Sequence, residues 1–171
     1  MWEAIRQNKI KSVLLISLMG LLLLALGAVF GAVIARGGGG VLAGISIAGV
    51  LWFFLTFVAL VEGKNILLAF SGAKEVQSED APQLYNIVEE MKIASGLPTL
   101  PKIYIIESKA PNAFAVGSPD NCAVAITSGL LAVLTRDELQ GVIAHEIGHI
   151  KNQDTKFLTI TGVMLGTIVI L

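Results

Sequence analysis

Hydrophobic positions along this chain fall into two regimes. Between Lys11 and Arg36 the 24 residues Ser12–Ala35 carry no charge, and Val41–Val61 form a second uncharged run containing Trp52, Phe53, Phe54 and Phe57. Neither run alternates with polar residues, so neither reads as a half-buried surface helix. At about 1.5 Å per residue, the first run crosses a hydrocarbon core of about 30 Å. Arg36-Gly37-Gly38-Gly39-Gly40 between them predicts a tight turn, and the pair predicts a membrane hairpin. Lys9 and Lys11 before the first run also suit a signal peptide, but the run exceeds the roughly 7–15 apolar residues such a peptide uses.

From Glu62 onward the pattern becomes periodic. Leu84, Ile87, Val88 and Met91 lie at helical spacing after Ser78-Glu79-Asp80-Ala81-Pro82, and Gly96 with Pro98 closes that helix. Lys102–Ser108 reads as a strand. Asn112–Gly117 and Cys122–Thr127 read as two more, joined through Ser118-Pro119-Asp120-Asn121 as a hairpin. Ser128–Leu134 is a short helix, followed by a longer one with apolar positions Leu139, Val142, Ile143, Ile147 and Ile150. Thr135 and Glu138 form a capping-box signature at its start. After Lys156, Phe157–Leu171 are again uncharged and apolar, the opening of a third membrane helix. Fifteen residues rise about 22 Å, short of a full span.

Composition sharpens this division. The chain is 54% hydrophobic and 15% charged, with a net charge of -1. That balance places it among membrane proteins and argues against nucleic acid as a partner. Arg6, Lys9 and Lys11 precede the first run, Lys64 and Lys74 follow the second, and Arg36 alone lies between. The positive-inside rule then predicts a cytoplasmic amino terminus and a cytoplasmic domain. A single cysteine, Cys122, allows no internal disulfide and reads as a small buried strand residue. Gly20, Gly27 and Gly31 suit close helix packing, though glycine is also common in membrane helices.

The candidate chemistry sits in Leu139–Asp154, L-Q-G-V-I-A-H-E-I-G-H-I-K-N-Q-D, within which His145, Glu146 and His149 form H-E-x-x-H. Positions four apart stack on one helical face, so both imidazoles can reach one ion. Zinc, one ion per chain, is the cofactor this pattern calls for, with Glu146 beside the metal as general base toward a water activated by it. These are the chain's two histidines, and the helix that carries them is predicted without reference to them. Two imidazoles alone do not distinguish zinc from another divalent metal. Asn152 and Asp154 lie about a turn beyond His149, where either could bond an imidazole's second nitrogen. Lys151 and Lys156 suit the carboxyl end of a helix.

The runs P-K-I-Y-I-I-E-S-K-A-P-N-A-F-A-V-G (101–117), A-V-A-I-T-S-G-L-L (123–131) and D-E-L-Q-G-V-I-A-H-E-I-G-H-I-K-N-Q-D (137–154) resemble the HtpX-type membrane zinc metalloproteases, relatives of the CAAX prenyl endopeptidases. The resemblance implies an α+β zincin-like metalloprotease domain over 62–156, attached to a transmembrane helical hairpin over 1–61, with a truncated third transmembrane helix over 157–171. It also implies an inner-membrane endopeptidase, its active site facing the cytoplasm, that degrades damaged or misfolded membrane proteins. Carried onto this sequence, it makes His145 and His149 metal ligands and Glu146 the base. Asn112, Ala113, Phe114 and Ala115 become part of an edge strand that binds extended substrate. The third ligand in that family is a glutamate on a later helix, expected beyond residue 171. Glu138, seven residues before His145 on the same helix, cannot swing to the metal's far side, and nothing in the sequence brings Glu107 or Asp120 to the metal. The competing expectation is a catalytically silent membrane protein, truncated, lacking the third zinc ligand and acting by binding.

Overall fold

A computed structural model describes residues 2–34, 38–155, 159, 161 and 162. Two long helices come first, α1 (Trp2–Ile34) and α2 (Gly38–Phe70), each 33 residues. Both are long and apolar enough to cross a membrane, and little of either span is buried against the rest of the protein. The apolar side chains therefore face outward, which water would penalise and lipid would not. An α+β domain follows.

The two helices meet through their glycines. A Cβ at Gly27 would collide with the Gly44 carbonyl and the Ala48 side chain, and one at Gly31 would collide with the Gly40 carbonyl. Small residues four apart on both partners let the backbones touch, the packing that lipid-exposed helices favour. Farther down, Trp52 lies against Gly20 and donates its indole N–H to the Ile16 carbonyl at 3.1 Å. Gly38, Gly39 and Gly40, expected in the turn, are instead the first residues of α2, because Gly40 is needed where the helices cross. The expected third helix over 157–171 lies outside the described residues except for Thr159, Thr161 and Gly162.

Helix α2 does not stop where the charged residues begin at Glu62. It runs on to Phe70, and Leu68 with Leu67 packs onto Val116, Ala123 and Ala125 of a four-stranded sheet. The strands are β1 (Lys74–Glu75), β2 (Lys102–Ile106), β3 (Ala113–Ser118) and β4 (Asn121–Thr127), in spatial order β1-β2-β4-β3. Strand β4 runs parallel to β2 and antiparallel to β3, so β3 is an edge. The turn at Pro119-Asp120 is the predicted hairpin, and Gly117 before it sits at φ 96 with the Asn121 carbonyl where a Cβ would be.

The opposite face of the sheet carries the main core. Helix α3 (Pro82–Ser95) contributes Leu84, Ile87 and Val88, and α5 (Arg136–Asn152) contributes Leu139, Ile143, Ile147 and Ile150. These pack on Ile103, Val124 and Ile126, while alternate β4 residues Ala123 and Ala125 face α2. The strand period thus gives branched residues to one layer and alanines to the other, where a helix lies close. Between β4 and α5, helix α4 (Ser128–Val133) is capped by Thr127, whose hydroxyl accepts the Leu130 N–H at 3.3 Å.

Candidate metal centre

Helix α5 is fixed at both ends before it presents any chemistry. At its start the capping box forms as expected: Glu138 accepts the Thr135 N–H at 2.8 Å, and Thr135 accepts the Glu138 N–H at 3.4 Å. At its end Lys151 donates to the Ser95 carbonyl, tying α5 to the last turn of α3. Ile143, Ile147 and Ile150 anchor the inner face, so the adjoining face, with His145, Glu146 and His149, is held against β3.

The two imidazoles converge. Their Nε2 atoms lie 3.0 Å apart, with the rings edge to face at a centroid separation of 4.5 Å. His149 turns its Nδ1 to Asp154 Oδ2 at 2.8 Å. A carboxylate there keeps the proton on Nδ1, which leaves Nε2 a lone pair aimed at His145. Two facing ring nitrogens need a proton or a cation between them. Around one zinc ion with bonds of about 2.0–2.1 Å in tetrahedral array they would stand about 3.3 Å apart, close to the spacing seen. The donor set therefore fits a divalent metal. Among the described residues no third His, Cys, Asp or Glu stands with the pair, so neither Glu107 nor Asp120 completes it.

Glu146 is half-buried beside them. Burial raises its carboxyl above the ordinary range; the two histidines and a hydrogen bond from the Ala115 backbone pull the other way. That amide belongs to the edge strand, and the register explains why it is available. Asn112 bonds Thr127 twice, its carbonyl accepting the Thr127 backbone N–H at 2.9 Å and its N–H donating to the Thr127 side-chain Oγ1 at 2.9 Å. In an antiparallel ladder the alternate residues then face away from the partner strand, here Ala113, Ala115 and Gly117. Asn112 and Phe114 spend their backbone groups on β4.

Of the two polar residues expected near His149, Asp154 makes the contact and Asn152 does not. The described hydrogen bond of Asn152 is through its carbonyl, which accepts from Asn8 of α1 at 3.5 Å. The Ala115 amide has no signal in the sequence, since any residue at that register position would offer it.

Residues 78–171, more than half of the chain, match the sequence profile of peptidase family M48. The chain belongs to that family. Among its M48 relatives it is 50% identical over 129 residues to a protease HtpX homolog of Dictyoglomus turgidum, covering 75% of this chain and 42% of that one. It is 42% identical over 171 residues to the homolog of Dictyoglomus thermophilum (99% of this chain, 55% of the relative). To that of Streptococcus pneumoniae it is 38% identical over 172 residues (100% and 56%). The resemblance to HtpX-type proteases thus extends along the whole sequence, the apolar helices included. The chain spans about half the length of the curated relatives it matches. The crystal structure of S. mikatae Ste24p aligns over 99% of this chain and 39% of its own, at a TM-score of 0.49 and 20% identity.

Proposed function

We propose that this M48 chain forms the membrane-anchoring and base-bearing part of a zinc-dependent endopeptidase with a zincin-like active site. The observation that carries the reading is the convergence of two Nε2 atoms beside Glu146, on a helix packed against an open strand edge. His145 and His149 would hold the metal, whose positive charge polarises a carbonyl and lowers the pKa of an attacking water. Glu146 takes the proton of that water on its carboxylate and passes it to the departing amine. The Ala115 N–H steadies that carboxylate between the two events. An extended substrate segment would pair with the outward N–H and carbonyl of Ala113 and the outward carbonyl of Ala115, the Ala115 N–H being held by Glu146, giving sequence-tolerant binding. Within Asn112–Ala115, these two residues then carry the binding and their neighbours hold the strand in place.

The third ligand, a glutamate in the HtpX resemblance, would come from the part of the relatives' length that this chain does not cover. Damaged or misfolded membrane proteins are the substrates the resemblance suggests. The inner membrane is the location the resemblance suggests, and the basic residues flanking the apolar helices support an amino terminus and metal centre in the cytoplasm. A reagent confined to the outside should then label a cysteine placed at Gly39 and spare one at Ser78.

In full-length protein, Glu146→Gln should retain zinc while peptide cleavage falls at least 100-fold, the low end of roughly 10²–10⁴ for a general base. Near-normal turnover would remove Glu146 from the chemistry. Cleavage absent from the unsubstituted protein as well, with zinc bound, would favour a silent binding protein.

A further inference from the structure

Asp154 stands five residues after His149, an offset that in a straight helix turns a side chain about 140° away from the first. Yet its Oδ2 lies 2.8 Å from His149 Nδ1. The backbone between them explains the meeting. Gln153 caps α5 at φ 58, ψ 20, the one non-glycine residue with positive φ among the described residues, and its N–H bonds the Ile150 carbonyl at 3.0 Å. The chain thereby leaves the helix axis and returns beneath the histidine face. Thr155, 2% exposed, then fastens the returning segment by donating its hydroxyl to the Gly117 carbonyl at 2.9 Å. That carbonyl lies at the far end of β3, on the strand whose Ala115 amide meets Glu146.

Asp154 is also held at some cost to itself. Its second oxygen, Oδ1, is buried and has no hydrogen-bond partner among the described residues. Buried carboxylate oxygens are rarely left so, and a solvated helix end would have let the group turn to water. The conformation of Gln153 is likewise one that glutamine seldom adopts. Two unfavourable local features converge on a single contact.

We infer that Gln153-Asp154-Thr155 is a positioning device for His149, in which the left-handed turn and the threonine anchor place Asp154 so that the ring presents Nε2 to the metal. Asp154 acts through His149 and is a positioning residue. The inference rests on the metal reading of His145 and His149 and adds to it the means by which one ligand is oriented.

Zinc affinity of the full-length protein in detergent, measured by chelator competition, tests it alongside the melting temperature of the zinc-free protein. Asp154→Ala should weaken zinc binding about 10–100-fold, the usual effect of losing a ligand's hydrogen-bond partner, with the zinc-free melting temperature little changed. Asp154→Asn keeps an acceptor oxygen and should recover most of the affinity. Gln153→Gly, at ease in the left-handed region, should bind zinc as the parent does. Gln153→Val should bind as weakly as Asp154→Ala, and combining the two should weaken binding no further. Parent-like affinity in Asp154→Ala, or fully additive losses in the double variant, would overturn the device. Should Asp154→Ala fail to fold, equal affinities for Gln153→Gly and Gln153→Val would overturn it as well. Zinc bound as tightly by His149→Ala as by the parent would instead remove the metal centre itself.

Discussion

The α1–α2 hairpin and the α+β domain use apolar side chains in opposite ways. Phe53 on α2 is 68% exposed, whereas Ile143 on α5 is 0% exposed. In the domain, branched side chains from α3, α5 and the sheet leave water together, and that removal holds the layers in register. The hairpin has no such force between its helices, because lipid tails solvate leucine as well as another leucine does. It is joined where side chains are missing, at Gly27, Gly31, Gly40 and Gly44, so that backbone meets backbone. Hydrophobicity thus reports the surrounding medium in one half and the packing partner in the other. The element that packs into both is α2, whose glycine end crosses α1 and whose Leu67–Leu68 end closes the alanine face of the sheet.

The largest separation between the two halves should come from equal treatment of their apolar residues. Ile143→Ala is expected to cost about 2–5 kcal/mol of domain stability, through lost transfer energy and the cavity left behind. Phe53→Ala removes a larger side chain and should cost little, since its ring contacts the surroundings on most sides. Thermal unfolding of both variants in the same detergent compares them directly. A loss from Phe53→Ala as great as that from Ile143→Ala would mean that this face of α2 packs against protein.

A smaller effect of the opposite kind is expected at the crossing. Gly31→Leu drives a side chain into the Gly40 carbonyl, an overpacking penalty of about 1–3 kcal/mol that the helices can relieve only by moving apart. Spin labels on Leu21 and Val50 should report a longer interhelix distance, while the domain melts as before. An unchanged distance would show that the crossing is not set by its glycines.

Local signals were legible wherever the cause is local. The capping box of Thr135 and Glu138, the apolar period of α5 and the turn at Pro119-Asp120 each announce an element within a few residues, and each element is present. The H-E-x-x-H spacing likewise brings two ring nitrogens together because helix geometry alone does so. Features that depend on distant partners were not legible. Glu62, Lys64 and Asn65 mark the end of an apolar run, but the helix continues for the sake of Leu67 and Leu68, which meet strands that come about fifty residues later. Strand β1, two residues long, is below the length at which alternation can be seen. Asp154 could not be chosen over Asn152, because the choice is made by a left-handed glutamine that the sequence does not announce.

The smallest expected effect lies where the hairpin hands over to the domain. Directly after α2, Glu75 of β1 accepts from Lys102 Nζ and from the Tyr104 hydroxyl, both at 3.1 Å, on β2. The Lys102 hydrogen bond holds the Glu75 carboxyl below its ordinary range. A carboxyl depressed in the folded state adds stability above its unfolded pKa of about 4.3 and loses it as pH falls through the lower folded value. Both partners are exposed, so solvent screens the pair, its contribution is small, and salt weakens it further. Glu75→Gln should therefore lower domain stability slightly at pH 7 and converge with the parent as the solution is made more acidic. Hydrogen exchange at the Val76 N–H, which bonds the Ile103 carbonyl at 3.0 Å beside this pair, is the sensitive readout. Exchange that speeds equally at pH 7 and at acid pH would assign the role of Glu75 to its shape in the strand, and leave the join between the two halves to the packing of Leu67 and Leu68.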